Sequence, residues 1–194
     1  MDFMFRDCYL LEFLDISNFN TMNIISMEGI FLNCKSLKAL YLANFITSLV
    51  KSMTAMFLGC ENLETLDLSS FNTESVINMQ GMFGYCEKLT SLDISNFNTP
   101  LLETIDYMFA NCLSLEILNI SNLNTSKVKN FRNLFRNCQS LTNLNLSNFD
   151  TSSAIYMDSM FSNCRKLEFL DLNNFFTPNL EHMETIFINC ESLK

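Results

Sequence analysis

The sequence is poor in the residues on which most catalytic and ligand-binding motifs depend. Its 194 residues include one His, four Gly, two Pro and no Trp. Because a single His is present and no glycine-rich loop occurs, nothing resembles a catalytic triad, a phosphate-binding loop or a dinucleotide fingerprint. We therefore predict that the protein is not an enzyme and has no catalytic or cofactor-binding residues.

Positive charge is also scarce. Lys and Arg together number 12 against 21 Asp and Glu, which gives a net charge of −9. This balance argues against nucleic acid or an anionic membrane as the partner. The first residues, Met1–Asp7, have neither a basic n-region nor an apolar h-region, so we expect no secretory signal in this chain. We also predict no membrane-spanning segment, and the residues alone leave the cellular location unknown.

An internal repeat is the strongest feature that the sequence does contain. Cysteines recur at a constant interval of 26 residues, each with Phe three residues before it and Leu three residues after it. A Thr lies thirteen residues after each of the first seven cysteines. The cysteines are Cys8, Cys34, Cys60, Cys86, Cys112, Cys138, Cys164 and Cys190. This agreement predicts a single repeat domain over residues 1–194, made of about seven coils.

Each repeat unit predicts one coil of an α/β solenoid. Residues 63–71, LETLDLSSF, show the alternation of a short strand, and Thr73 marks the turn that follows. Residues 76–86, VINMQGMFGYC, place apolar side chains every three to four residues, which predicts a short helical or 3₁₀ arc on the opposite wall. One coil cannot be stable alone, so the strands of successive coils should stack in parallel about 4.8 Å apart.

The repeat resembles a known family. Residues 82–99, MFGYCEKLTSLDISNFNT, are similar to the BspA-like branch of the leucine-rich repeats. The resemblance covers essentially the whole chain and implies a leucine-rich-repeat array with a parallel strand face on one side. Members of that branch occur in surface proteins of bacteria, including mycoplasmas, and of some protozoa, and some are associated with adhesion to host proteins. The resemblance therefore implies a cell-surface or secreted protein.

Other columns of the repeat favour structural roles. One thiol per coil, with no Cys-x-x-Cys pair and no Cys/His cluster, predicts free buried cysteines in one row and no metal site. Disulfides between adjacent coils are the alternative. The Thr hydroxyls should cap turns by accepting a backbone N–H, the alternative being an ice-binding lattice. An Asn column should form a side-chain hydrogen-bond ladder, and His182 belongs to a variable column that we interpret as solvent-facing.

The outward positions of the predicted strands form the candidate binding site. Two neighbouring columns there mix carboxylates, amides and apolar side chains, so we expect a concave and somewhat acidic face. The candidate partner-binding residues are Phe13, Asp15, Tyr41, Asp67, Asp93, Ile117, Asn119, Asn145, Phe169 and Asp171. Asp67 and Asp93 should lie about 5 Å apart and repel each other, which a basic protein partner or a cation would relieve. Solvated carboxylates that keep the face soluble are the alternative explanation.

Two interpretations of the whole chain follow. The first is a non-enzymatic module that binds or adheres to proteins through the strand face. A separate basic patch at Lys127, Lys129, Arg132 and Arg136 suits an acidic neighbour, and solvated surface charge is the alternative explanation. The second is a structural spacer or self-assembling element that associates through uncapped ends, because the chain starts and stops within a repeat. Such ends also suit a fragment of a longer array.

Overall fold

The 26-residue period places each residue opposite its equivalent in the next coil. The coils are numbered from the one that contains Cys8. The computed structural model describes residues 1–194. Four short strands lie on one wall: β1 (Phe13–Asp15), β2 (Ala39–Tyr41), β3 (Ser91–Asp93) and β4 (Ile117–Asn119). Strand β1 pairs in parallel with β2, and β3 pairs in parallel with β4. The predicted stack of coils with parallel pairing is therefore confirmed, although the pairing is not continuous along the wall.

A second ladder runs along a different wall, and this one is continuous. Parallel bridges join one residue of each coil to its equivalent in the next: Ser26, Ser52, Asn78, Thr104, Asn130, Tyr156 and His182. We predicted the column of His182 to face solvent, and the structure corrects this because all seven residues are half-buried. Inter-coil backbone pairing holds them there, whatever their side chains. Because the backbone alone fixes this position, the column can carry different side chains.

The arcs that complete each coil contain no α-helix or 3₁₀-helix, so the predicted helical arcs are not confirmed. In the second arc, Gly29 (φ 52°) and Asn33 (φ 59°) are left-handed, and the same two columns are left-handed in the other coils. A left-handed residue at every fourth position prevents a right-handed helix. The N–H of Gly29 instead donates to the carbonyl of Thr54 at 2.9 Å, in the next coil. We call the surface formed by residues 27–34 and the equivalent residues of the other coils the turn wall.

The core is one hydrophobic cluster of 49 buried residues that runs through all the coils. A stack of Phe side chains lies within it, with neighbouring ring centroids 5.5 to 5.7 Å apart and nearly parallel planes. The stacked rings are Phe5, Phe31, Phe57, Phe83, Phe109, Phe135, Phe161 and Phe187. Each inner ring therefore has an aromatic neighbour on both faces, which couples the stability of adjacent coils.

The thiols form a row beside this stack, as predicted. From the second coil onward, each Cys Sγ donates a hydrogen bond to the carbonyl of the Phe residue 29 positions earlier. For Cys112 the acceptor is the Phe83 carbonyl at 3.1 Å. All eight cysteines are free. The thiol thus acts as a small buried donor that links one coil to the preceding one.

Only the two terminal thiols should react with an aromatic disulfide reagent in the folded protein. Cys8 and Cys190 are half-buried, and the other six are buried. Burial raises the pKa of the Cys34 thiol to about 11 and that of Cys112 to about 12, and the thiolate is the reactive form. We expect two equivalents to react at mildly alkaline pH, and the other six after unfolding in guanidinium. Rapid native labelling of an inner thiol would contradict this prediction.

Threonine and asparagine side chains satisfy the backbone between coils. The Thr125 Oγ1 donates to the Asp150 carbonyl at 2.9 Å and accepts the Asp150 N–H at 2.9 Å, which confirms the predicted capping role. The Asn column forms side-chain hydrogen bonds from coil to coil, as predicted, and its acceptors are backbone carbonyls. The Asn96 side-chain amide donates to the backbone carbonyls of Leu68 and Phe71, not to another Asn side chain. The Leu68 carbonyl also accepts the N–H of Phe71, so the amide adds a second donor there and supplies the donor for the Phe71 carbonyl.

Candidate functional site

The predicted partner-binding residues all lie on the wall of the strands, which we call the strand face. They occupy the first and third positions of each strand or of the equivalent segment in coils without one. Nine of the ten are exposed, and Asn119 is half-buried. The structure therefore brings the predicted residues to one face, in two adjacent columns. The intervening strand residues, such as Leu40 and Leu92, point into the core.

Large apolar side chains stand out from this face. Phe13, Tyr41, Ile117 and Phe169 are 59 to 67% exposed. The only cation over one of these rings is Lys38, whose Nζ lies 5.9 Å from the centroid of Phe13. Exposed apolar residues are common individually. These four share two adjacent columns of one wall, with Phe13 and Tyr41 on the paired strands β1 and β2.

Two shallow depressions interrupt the strand face. One, of about 520 Å³, is lined by Thr65, Asp67, Ser91 and Asp93 among others. The other, of about 350 Å³, is lined by Asn143, Asn145, Phe169 and Asp171 among others. The structure thus brings Asp67 together with Asp93, and Phe169 together with Asp171. Phe13, Asp15 and Tyr41 lie apart from both depressions, on the paired strands β1 and β2.

The carboxylates of the strand face have a structural role that sequence reasoning missed. The Asp67 Oδ1 accepts the Ser69 N–H at 2.9 Å, and Asp93 accepts the Ser95 N–H at 2.9 Å. These bonds to the backbone lower the pKa of both carboxyls. Asn145 forms the same turn with the N–H of Ser147. The signal was present as an Asp or Asn two residues before a Ser, which is typical of Asx turns.

The strand pairing that supports this face is intermittent. No backbone hydrogen bond joins residues 65–67 to either neighbouring coil. Farther along, a single bridge joins Asn143 to Phe169. The depression that contains Asp67 lies where the pairing is missing, so its polar backbone groups are open to solvent or to a partner.

The predicted basic patch is partly neutralised. Arg132 forms an ion pair with Asp158, and its guanidinium lies 4.0 Å from the ring centroid of Tyr156. The Tyr156 ring in turn stacks on His182 at 5.1 Å. Lys127 and Lys129 are exposed and line a depression of about 500 Å³ together with Glu103. The lone histidine therefore packs in an aromatic and cationic stack, away from the strand face.

Other classes of site have little support in the geometry. No three or more side chains of the His, Cys, Asp and Glu types gather closely enough to hold a metal ion. None of the elements is a helix that combines the length and the apolar character required to cross a bilayer.

Comparisons with known proteins agree with the repeat architecture. A family model described as "Mycoplasma protein of unknown function, DUF285" matches residues 1–117 and 103–194. Among solved structures, a leucine-rich repeat protein from Bacteroides ovatus is similar to the chain, with a TM-score of 0.53 and 20% sequence identity. The match covers 100% of this chain and 57% of that protein, so the chain spans little more than half of its length. No curated protein matches the sequence. The structural likeness establishes the leucine-rich-repeat fold.

Proposed function

The chain belongs to the DUF285 family, and we propose that it is a non-enzymatic module that binds proteins through its strand face. One observation carries the proposal: Phe13, Tyr41, Ile117 and Phe169 are exposed on a single wall of the solenoid. Aromatic side chains dominate the binding energy of protein interfaces when a partner removes them from water. An extended solenoid wall presents such anchors to one partner in a row.

The surroundings of these anchors favour a protein partner over a small molecule. Both depressions on the strand face are shallow, and their polar lining consists of Asp, Asn, Ser and Thr side chains. Small-molecule sites are usually deeper and mostly apolar. The exposed carboxylates of Asp15, Asp67 and Asp93 lie on the same face as the apolar anchors and favour a basic partner surface.

The same features support a role without catalysis. The inner thiols are buried, and burial raises the pKa of Cys112 and Cys164 to about 12, which disfavours a cysteine nucleophile. His182 stacks on Tyr156 and has no Ser or Cys nucleophile among its hydrogen-bond partners. We therefore attribute the function to recognition.

Adhesion is the form of recognition that we propose. The repeat resembles the BspA-like branch of leucine-rich repeats, whose members include surface adhesins, and this resemblance is the basis for placing the protein at a cell surface. The overall negative charge would disfavour anionic glycans and lipids, so we propose a protein receptor.

The test is binding to a panel of immobilised extracellular-matrix proteins, measured by biolayer interferometry. The double variant Ile117→Ser, Phe169→Asn removes two anchors with residues that the repeat already accepts in that column, at Ser91 and Asn143. We expect it to weaken binding about tenfold or more. The double variant Asp67→Asn, Asp93→Asn removes charge but keeps the Asx turns, and we expect a smaller loss that disappears at high salt.

A control variant lies on another wall. Ile25 is 64% exposed, and Lys51 occupies its column in the next coil, so Ile25→Lys removes an exposed apolar side chain without disturbing the fold. We expect this variant to bind like the parent. Equal binding by the Ile117→Ser, Phe169→Asn variant, or no binding of the parent to any matrix protein, would contradict the proposal.

A further inference from the structure

The turn wall contains an apolar pocket that shares no residue with the strand face. It has a volume of about 330 Å³ and lies across the third to fifth coils, where Leu58, Gly81, Gly84, Tyr85 and Tyr107 contribute to its lining. We call it the tyrosine pocket. Tyr85 is 48% exposed and Tyr107 is 43% exposed, so two aromatic rings stand at its rim.

The pocket exists because two columns of the repeat carry small residues at this point. In one column Ala55 is followed by Gly81, and in the other Gly84 is followed by Ala110. A Cβ atom placed on Gly81 would meet a single neighbour, the Leu58 Cδ1 at 3.9 Å. The surface above Gly81 is therefore open.

The first two coils show what fits such an opening. Phe3 and Gly29 occupy the same column as Ala55 and Gly81, two coils earlier. The Phe3 ring lies directly on Gly29, since a Cβ there would be 2.5 Å from both Cδ1 and Cε1 of that ring. The glycine is therefore required for the ring to pack in this position.

The backbone is the same at both places. Phe3 and Gly29 have φ of 57° and 52°, and Ala55 and Gly81 have φ of 53° and 62°. The difference is the side chain, because Ala55 supplies a methyl group where Phe3 supplies a phenyl ring. The tyrosine pocket is thus a ring-binding position from which the intramolecular ring is missing.

We propose that the tyrosine pocket binds a phenylalanine side chain of a partner polypeptide. Its volume suffices, since an apolar cavity of about 150 Å³ already accommodates benzene. The rings of Tyr85 and Tyr107 offer aromatic contacts to the incoming ring. Gln80 is exposed and also lines the pocket. Its side-chain N–H donates to the buried Asp106 carboxylate at 2.7 Å, which holds the amide in place and leaves its oxygen to accept an N–H of the peptide backbone.

The direct test is a titration followed by nuclear magnetic resonance. The probe is the acetylated and amidated pentapeptide Ser-Gly-Phe-Gly-Ser, and the matched control peptide has Ala in place of Phe. We expect the Phe peptide to give saturable shifts at Gly81, Gly84 and Tyr107, and the Ala peptide to give none. Tyr107→Ala should weaken binding about tenfold. The absence of saturable shifts with the Phe peptide would overturn the proposal.

A variant that supplies the missing ring gives a second, independent result. Ala55→Phe should place a ring over Gly81 as Phe3 does over Gly29, so the variant should melt at the same or a higher temperature than the parent and lose the peptide shifts. A lower melting temperature, or unchanged peptide binding in the folded variant, would overturn the proposal. If the same residues of the parent shift without peptide when the protein concentration is raised, the occupant is a second copy of this chain. That result would overturn the proposal of a partner polypeptide. Binding of matrix proteins through the strand face should be unaffected by Ala55→Phe, which separates the two proposals.

Discussion

Replacing Phe83 with alanine is expected to lower the free energy of unfolding by about 3 to 5 kcal/mol. The Phe83 ring is fully buried, and its centroid lies 5.7 Å from that of Phe57 and 5.6 Å from that of Phe109. The substitution leaves a cavity in the centre of the stack and removes two aromatic contacts, each worth about 0.5 to 1.5 kcal/mol. Because neighbouring coils share this interface, the loss should be transmitted to the whole solenoid.

Urea denaturation followed by circular dichroism measures this effect. Phe169→Ala is the matched control, because it makes the same chemical change at a side chain that is 63% exposed. We expect the control to change the free energy of unfolding by no more than about 0.5 kcal/mol. An unfolding midpoint for Phe83→Ala equal to that of the parent would show that the stack does not stabilise the fold.

The second large effect is expected at Thr125. Its side chain is buried, and its hydroxyl makes two hydrogen bonds to the backbone of Asp150, both at 2.9 Å. Thr125→Val preserves the shape but leaves that N–H and that carbonyl without partners. An unsatisfied polar group costs about 1 to 3 kcal/mol, and Asp150 is near solvent, so we expect a total loss of about 2 to 3 kcal/mol.

Thr125→Ser separates the hydroxyl from the methyl group. The serine hydroxyl can make both hydrogen bonds, and the missing methyl should cost about 1 kcal/mol. The free energy of unfolding should therefore fall in the order parent, Thr125→Ser, Thr125→Val when measured in urea. The reverse order of the two variants would mean that methyl burial, not capping, accounts for the threonine column.

The repeat period allowed much of the fold to be predicted. A constant interval between cysteines requires equivalent side chains to stack, and this was sufficient to predict the row of thiols and the capping role of Thr125. It was not sufficient to predict the backbone of the arcs. Apolar residues three to four positions apart also fit a chain of turns in which alternate N–H groups bond to the next coil. A signal was available, since Asn or Gly occupies most of the left-handed positions.

The candidate site was predicted in position but not in chemistry. Alternation within LETLDLSSF correctly assigned Asp67 to the outward face, because side-chain direction follows from the strand period. Its hydrogen bond to the Ser69 N–H depends on how the chain turns after the strand, which the period does not encode. The tyrosine pocket was not predicted either. It depends on the absence of a side chain at Gly81. That residue lies in a variable column of the repeat, whereas the predictions rested on the constant columns.

The two walls of the solenoid differ in the number of backbone hydrogen bonds that join one coil to the next. Between the second and third coils, the N–H groups of Met27, Gly29, Phe31 and Asn33 all donate across the step on the turn wall. At the same step, residues 65–67 make no such bond on the strand face. Because hydrogen bonds hold the coils together on the turn wall at this step, we expect any change in the spacing between these coils to occur mainly on the strand side. We therefore expect the distance between the strand pair β1–β2 and the strand pair β3–β4 to vary without the loss of backbone hydrogen bonds on the strand face.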